Sequence, residues 1–565
     1  MNREEHLASG GSTWLHTKTE ARSRHGMVCA RHPLAAAAGC QILRQGGNAV
    51  DAAAAASFAN GVVQPFANSL GGGGLLVMSG FGDQPRYIDY RYEAPSNSTP
   101  DMFTVRSQTL QDPMGWRGVA NRENEVGYRA VGVPGSAAGL VAAVEQFGSL
   151  ALSDVMAPAI ELAASGFETD WLGALMQGIH LDELCRFPAT AHSMLRDGRF
   201  PYRPATVNPA DVQRQPLLAE TMRGIAEAGA SFFYAGGLAQ QMSADIMGHG
   251  GILDAADLAA YRPRQGTARR TPYRRFEILG ADNVSVAPFL FGVLARLDLA
   301  GRDPLDPRRI HLILEAIKRC RTIERRHLGD TLFMDGTWPQ LCTPERMDEI
   351  ADSISPDRAS PLTDLDEAGV AGGHPGKQPV EGTTHICATD ADGNVVSLTE
   401  TVLSSYGSRV VTAGGVLLNN AMFAFSPHPG KPNSIAPGKR PLSNMTPIIV
   451  SDRSGGPFLC LGATGGQRIS TAVAQILSLV VDAGYGIQDA ISTPRFDVSV
   501  DDVILDSRMP RHVVTDLERR GHSIVLRSEE FTTLHFANAC GILRSSDGEY
   551  TSGVNPLSMT AAAAY

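Results

Sequence analysis

Glu381-Gly382-Thr383-Thr384-His385 opens a segment that alternates like a buried strand after a long run rich in proline and glycine. A threonine hydroxyl is a poor nucleophile until a base takes its proton, and the residue's own α-amine becomes that base once the preceding peptide bond is cut. Such an amine titrates near roughly 7.7 to 8.0, close to working pH. Gly382 adds no side-chain bulk beside the attacking hydroxyl and tolerates a strained backbone. The Gly382-Thr383 bond is therefore read as a cleavage site, with Thr383 a latent N-terminal nucleophile. In isolation the pentapeptide is more often an ordinary strand entry, so the reading leans on the residues around it.

Downstream, residues 385–389, the turn Asp390-Ala391-Asp392-Gly393 and residues 394–402 form a hairpin pattern with Asp-Gly as its turn signal. The returning strand carries Thr401 back toward Thr383, where a second hydroxyl can assist; plain β-propensity is the competing explanation. A polar loop at 441–447 follows the cation pair Lys439-Arg440 and enters an apolar strand at 448–450. A further strand at 458–461 ends in Gly462-Ala463-Thr464-Gly465-Gly466, and a helix with Ile469, Val473, Ile476 and Val480 on one face comes next. Glycines at a strand-to-helix turn let two N–H groups point at one negative charge, which is what an oxyanion hole requires, although a Gly-Gly pair is also just a tight turn.

The 565 residues contain no long low-complexity linker that would demand two independent domains. With 49 basic against 59 acidic residues and no basic block, nucleic acid is excluded as an expected partner. Hydrophobic content of 43% with 59 glycines suits an α/β or α+β protein rich in tight turns. No signal-length apolar core follows Met1, so the expected location is the cytoplasm. The uncharged run 52–82 is not read as a membrane span, because Asn60, Gln64, Pro65, Asn68 and Gly71 to Gly74 would leave backbone groups unsatisfied in lipid. Eight scattered cysteines without a C-x-x-C pair read as small buried hydrophobes rather than zinc ligands or a disulfide frame.

In the first half, 33–44 reads as an alanine-rich helix closed by Gly46-Gly47, and Asp51 as the cap of a small-sided, buried helix over 52–59. The four glycines 71–74 lead into an apolar strand at 75–78, the reverse of a phosphate loop's order, and no lysine follows. A short strand at 87–90 delivers Arg91, a surface cation by default but a possible bidentate carboxylate clamp. From 132 to 325 the pattern is mainly helical, with helices expected at 136–146, 152–165, 210–228, 238–247, 255–261 and 311–325. His311 and His327 read as helix-face residues, and 352–382 as an exposed loop that can be severed at its end.

Together these pieces resemble the gamma-glutamyltranspeptidase family of N-terminal nucleophile hydrolases. The likeness runs from about His25 to Tyr565 and is carried by Gly46-Gly47-Asn48-Ala49-Val50-Asp51-Ala52, Asp89-Tyr90-Arg91, Val133-Pro134-Gly135 and Gly382-Thr383-Thr384-His385. It continues in Leu417-Leu418-Asn419-Asn420, Pro437-Gly438-Lys439-Arg440-Pro441-Leu442-Ser443 and Gly465-Gly466-Gln467-Arg468-Ile469. The resemblance implies an α+β fold, the four-layer αββα sandwich, made as a precursor that cuts itself before Thr383. The products would be a large subunit, 1–382, and a small one, 383–565, which stay associated through one shared core.

By the same resemblance Thr383 matches the nucleophile, Thr401 the threonine that assists it, and Gly465 and Gly466 the oxyanion pair. Arg91 and Ser443 match residues that hold the donor's α-carboxylate, with Asn444 in place of a second serine. Three departures stand out: Leu403 replaces an asparagine, and Ala421 and Ala424, with Phe423 between them, replace the groups that bind the donor's α-ammonium. An ammonium buried without acceptors costs several kcal/mol. The sequence thus points to an acyl donor with a carboxylate but no α-amino group, a dicarboxylic mono-amide of oxamate or glutaryl type, acting through a threonyl acyl-enzyme and needing no metal or organic cofactor. Three alternatives stay open: a true gamma-glutamyltransferase or glutathione hydrolase, a hydrolase of C–C bonds, and an uncleaved homologue without activity.

Overall fold

A computed structural model of the chain describes residues 16–106, 118–281, 285–301, 303–334, 342–360, 382–452, 455–498, 502–531 and 535–565. Strands Gly382–Thr389 and Val395–Leu403 pair antiparallel, closed by a turn in which Gly393 takes φ +84 and its N–H donates to the Asp390 carbonyl at 3.3 Å. This hairpin occupies the middle of a seven-stranded sheet, ordered Ala561–Ala564, Met27–Ala30, Gly382–Thr389, Val395–Leu403, Gly73–Ser79, Arg86–Tyr90, Arg264–Thr267. A second seven-stranded sheet runs Arg22–Ser23, Tyr550–Val554, Asn538–Arg544, Pro457–Thr464, Ile448–Ser451, Phe276–Gly280, Arg269–Tyr273. Residues before and after Gly382 alternate within both sheets, so the two segments on either side of that bond share one core.

The layers follow from strand alternation. Along Gly382–Thr389, Cys387 points between the sheets, where it meets Met27, Cys29, Cys460, Cys540 and Ile542, while Ile386 and Ala388 point to the opposite face. That outer face is covered by Pro33–Arg44, Ala49–Val63, Ser136–Phe147 and Leu152–Ser165. The alanine-rich sequences bring helix backbones close: a Cβ on Gly39 would collide with the Ala52 carbonyl oxygen of the next helix at 2.7 Å. Helices Ala287–Leu294, Pro307–His327, Ile469–Asp482 and Ile487–Ser492 cover the second sheet with a separate apolar cluster. The result is the αββα sandwich. Among the described residues, no helix is long and apolar enough to cross a membrane.

Several local expectations are corrected. Asn48, not Asp51, caps the second helix, which spans Ala49–Val63; Asn48 accepts N–H bonds at 2.9 and 3.1 Å, and Asp51 completes a capping box by accepting the Asn48 N–H at 3.0 Å. The helix expected over 210–228 begins only at Pro216, whose ring suits a first turn, after a two-residue strand Val212–Gln213. The helix expected over 311–325 is longer, Pro307–His327, because Asp306 caps it and Pro307 starts it. Strands within 264–280 were hidden in the helical reading, since the stretch is rich in arginine and shows no apolar period. Cys185 is exposed, unlike the other seven cysteines, and all eight are free thiols. Most of the expected severable loop, 361–381, lies outside the described residues.

Candidate active site

The hairpin register sets Thr383 directly opposite Thr401, with a bulge between Gly382 and Thr383. Their side chains share the face between the sheets, and the two hydroxyl oxygens lie 3.0 Å apart. A hydroxyl has one proton and two lone pairs. The Thr401 hydroxyl donates to the Gly382 carbonyl and accepts the Leu403 N–H at 2.8 Å, which leaves its second lone pair for the Thr383 hydroxyl. One side chain thus touches both the hydroxyl and the carbonyl of the Gly382-Thr383 peptide. Gly382 is required here, because a Cβ would run into the Ser404 carbonyl. Leu403, half-buried at the strand end, is held at φ +85, a conformation that costs a β-carbon-bearing residue about 1 to 3 kcal/mol.

On the other edge, strand Met27–Ala30 meets the Thr383 strand only at residues 387–389 before the chain turns into a helix capped by His32. The Thr383 carbonyl, beyond that pairing, accepts a guanidinium N–H from Arg31, which is 3% exposed and lies 5.3 Å from the centre of the Phe66 ring. His385 is fully enclosed; its Nδ1 is 2.9 Å from Thr399 Oγ1 and its Nε2 3.3 Å from Cys387 Sγ. Burial pushes its pKa down to about 3, so the ring is neutral.

The His385 ring packs against Gly462 of the second sheet, where any Cβ would collide with it. Cys387, two residues on, adjoins Cys460. The two strands therefore run in opposite directions across the interface, and stepping two residues from His385 and from Gly462 sets Thr383 level with Thr464. Gly465 and Gly466 follow at once, with φ +135 and +61, and a short turn Gly466–Arg468 leads into helix Ile469–Asp482. Both glycines sit in backbone conformations that L side chains rarely adopt.

Arg91 is buried and grips Asp89, donating from Nε at 3.0 Å and Nη2 at 2.9 Å, while Nη1 donates to the Pro441 carbonyl at 2.8 Å. Arg440 closes the cluster against Asp89 at 3.1 Å and Glu93 at 2.9 Å. Burial alone would raise the Asp89 carboxyl, but the two guanidiniums outweigh it and hold it well below the usual carboxylate range. The Pro441 bond ties Arg91 to the loop carrying Ser443 and Asn444, both half-buried; Ser443 Oγ accepts the Met445 N–H at 3.1 Å. Arg91 is thus less available than its sequence position implies, since one edge of its fork is taken by Asp89.

Asn419 and Asn420 spend their amides on the fold. Asn419 bridges Gly71 and Gly132, and Asn420 bonds Ser404 and Glu125. The turn Ala421–Ala424 that follows is buried and apolar, with Ala421 at 0% and Ala424 at 2% exposure. Two features escaped the sequence reading. Arg31 has no motif, and its reach to Thr383 depends on a strand that stops early. Glu400 precedes Thr401 and points to the helix face, where Ser57 and Asn68 donate to it and burial raises its pKa to about 7. Ligand-type atoms of His385, Cys387 and Cys540, and of His311, Glu315 and His522, gather within 4.8 Å. In the first group the thiols have carbonyl acceptors, and in the second Lys318 bonds Glu315 at 2.8 Å and His522 at 3.2 Å.

The family model described as gamma-glutamyltranspeptidase matches residues 35–565. The chain belongs to that family. Among curated relatives, the Acylase ACY 1 proenzyme of Pseudomonas sp. (strain V22) is 34% identical over 90% of this chain and 88% of its own. The glutathione hydrolase proenzyme of Escherichia coli (strain K12) is 30% identical over 95% and 91%. Among solved structures, cephalosporin acylase from Bacillus halodurans superposes with a TM-score of 0.85 at 25% identity, covering 98% of both chains. Gamma-glutamyltranspeptidase of Helicobacter pylori gives 0.54 at 29% identity, over 61% of this chain and 96% of that one. Family members thus include proenzymes with two different activities, and the fold places this chain among N-terminal nucleophile hydrolases.

Proposed function

We propose that the chain is a self-processing acylase whose nucleophile is Thr383 and whose substrate is a carboxylate-bearing amide without an α-amino group. The observation that carries the chemistry is the Thr401 hydroxyl, which bonds the Gly382 carbonyl and lies 3.0 Å from the Thr383 hydroxyl. Maturation begins when Thr383 Oγ attacks the Gly382 carbonyl carbon. The C–N bond breaks, the proton passes to nitrogen, and an ester remains. Water hydrolyses that ester, leaving the Gly382 carboxylate and a free Thr383 amine. In turnover the amine takes the hydroxyl proton, Thr383 attacks the substrate carbonyl, and the N–H groups of Gly465 and Gly466 stabilise the oxyanion. The protonated amine returns its proton to the leaving nitrogen, and water resolves the acyl-enzyme.

The substrate class rests on the buried Ala421–Ala424 turn, which has only methyl groups, a thioether and the Phe423 ring at the positions where the family resemblance puts the acceptors of an ammonium. The likeness to acylases on both the sequence and structural sides supports the same reading. By the family resemblance a substrate carboxylate would be met by Arg91, Ser443 and Asn444, with Arg91 turning Nη1 away from the Pro441 carbonyl to do so. Intact mass of the wild type beside Thr383→Ala is the first test, with two fragments divided at Gly382 and Thr383 expected only in the wild type. The processed enzyme is then given glutaryl and γ-glutamyl p-nitroanilides. Preference for the glutaryl compound supports the proposal; preference for the γ-glutamyl compound makes the enzyme a glutathione hydrolase type, and an uncut wild type refutes the nucleophile.

A further inference from the structure

Resting on Gly465 and Gly466 as the oxyanion turn, we infer that Arg495 is a positioning residue for turnover: through the backbone of Phe536 and Ala537 it fixes where the Gly465 N–H points. Strands Pro457–Thr464 and Asn538–Arg544 run antiparallel, and their pairing reaches Thr464 opposite Asn538. One step further the same register sets Gly465 opposite Ala537, and there the ladder stops, because both residues leave the extended conformation, with φ +135 and +68. The two remain in contact all the same. A Cβ on Gly465 would lie 2.9 Å from Ala537 Cα and 3.1 Å from its Cβ. Ala537 is therefore a wall against which this end of the glycine turn rests.

A residue with a β-carbon adopts the Ala537 conformation only where its surroundings impose it. Arg495, 2% exposed and just past helix Ile487–Ser492, does so. Its Nε donates to the Phe536 carbonyl at 2.9 Å and its Nη2 to the Ala537 carbonyl at 3.0 Å, so one edge of the planar fork takes two successive carbonyls. Nη1 donates to the Ile491 carbonyl at 2.6 Å, which fixes the fork from the other side. Glu529 accepts the Phe536 N–H at 2.8 Å and lies 3.5 Å from the guanidinium, and Asn555 adds a bond to the Ala537 carbonyl at 3.4 Å. At the far end of the turn a second buried arginine, Arg321, donates to the Gln467 carbonyl at 3.0 Å. Separate arginines thus hold the two ends, and Arg495 governs the end that carries Gly465. An oxyanion donor is effective only where it meets the tetrahedral oxygen and not the ground-state carbonyl, so a small displacement of Gly465 lowers kcat and spares KM.

The experiment compares wild type, Arg495→Lys and Ala537→Gly, once intact mass has established cleavage at Gly382-Thr383. Lysine keeps the charge beside Glu529 and gives up the fork. Glycine keeps the backbone bonds, removes the methyl that meets Gly465 and relaxes φ +68. Rates are measured on whichever of the glutaryl and γ-glutamyl p-nitroanilides the wild type cleaves faster, with Tm in parallel. A carboxypropyl boronic acid serves as the probe of the oxyanion position: its boron bonds the Thr383 oxygen, becomes tetrahedral and places a hydroxyl where the oxyanion forms. Losing one oxyanion donor costs about 100- to 1,000-fold in kcat; a displaced one is expected to cost about tenfold or more in Arg495→Lys and about threefold or more in Ala537→Gly. KM is expected to stay within about twofold, and boronate affinity to fall alongside kcat. Tm is expected to fall in Arg495→Lys but to hold or rise in Ala537→Gly, which separates placement from stability. Ala537→Gly with wild-type kcat and boronate affinity overturns the inference, as does Arg495→Lys that loses Tm alone. Should Arg495→Lys fail to fold or to be cut, Ala537→Gly decides. An uncut wild type instead removes the nucleophile, and with it the reading on which the inference rests.

Discussion

Replacing Thr401 with valine removes one oxygen and keeps the shape of the side chain. Three contacts go with it: the bond to the Gly382 carbonyl, the approach to the Thr383 hydroxyl at 3.0 Å, and the bond from the Leu403 N–H at 2.8 Å. Two costs follow, and they are separable. Leaving the Leu403 N–H buried without a partner costs about 1 to 3 kcal/mol, and it falls on a residue already held at φ +85. Losing a positioned proton partner costs about 100-fold or more in rate. Stability is best read by urea unfolding of Thr383→Ala against Thr383→Ala/Thr401→Val, both uncut, where a loss of about 2 kcal/mol is expected. Processing is read by intact mass after rapid purification, with fragments appearing about 100-fold more slowly in Thr401→Val and near the normal rate in Thr401→Ser. If Thr401→Val lost stability but was cut at the wild-type rate, the hydroxyl would be a cap for Leu403 and not part of the maturation chemistry.

Glu400 binds a proton more tightly in the folded state, at about 7 against an ordinary 4.5, because it is fully buried. Its contribution to stability is therefore complete below about 4.5 and disappears as the pH rises through 7, amounting to about 3 kcal/mol. Urea unfolding at pH 5 and 8 should show that drop in wild type and a much smaller one in Glu400→Gln; parallel curves would refute it. Gly462→Ala forces a methyl into the His385 ring and is expected to cost about 3 kcal/mol or more, lowering Tm by several degrees, whereas an unchanged Tm would mean that the sheets can separate at this point. Ala424→Asp restores an acceptor for an ammonium in a turn that is now apolar. The ratio of γ-glutamyl to glutaryl hydrolysis should rise about tenfold at some loss of stability, and a constant ratio would remove this turn from substrate recognition.

The hairpin that carries Thr383 was legible because its turn chemistry and alternation agree, and the long helices because they carry caps and a period of 3.6. Residues 264–280 were not, since RQGTARRTPYRRFEILG has too few apolar residues to show a strand period and takes its order from pairing with Arg86–Tyr90 and Ile448–Ser451. The Arg91 clamp was half legible. Its position at a strand end reads directly from Asp89-Tyr90-Arg91, but nothing in that tripeptide says that Asp89 turns back onto Nε and Nη2. Arg31 was not legible, because its role depends on Met27–Ala30 ending where it does. The cysteines illustrate the same limit: scattered in sequence, Cys29, Cys387, Cys460 and Cys540 meet because each lies on the inner face of its strand.

The early end of Met27–Ala30 connects these observations. Had that strand continued, its backbone would have paired with the Thr383 carbonyl, and with its nitrogen, in an ordinary ladder. His32 and Pro33 start a helix instead, and so end the strand, because proline has no N–H to give and fixes its own φ. The Arg31 side chain then reaches that edge and satisfies the Thr383 carbonyl. On the opposite edge, beside the bulge at Gly382 and the strained Leu403, the Gly382 carbonyl accepts the Thr401 hydroxyl. The Thr383–Thr401 pair thus sits in the part of the central strand that Met27–Ala30 does not reach, since that pairing begins only at Cys387.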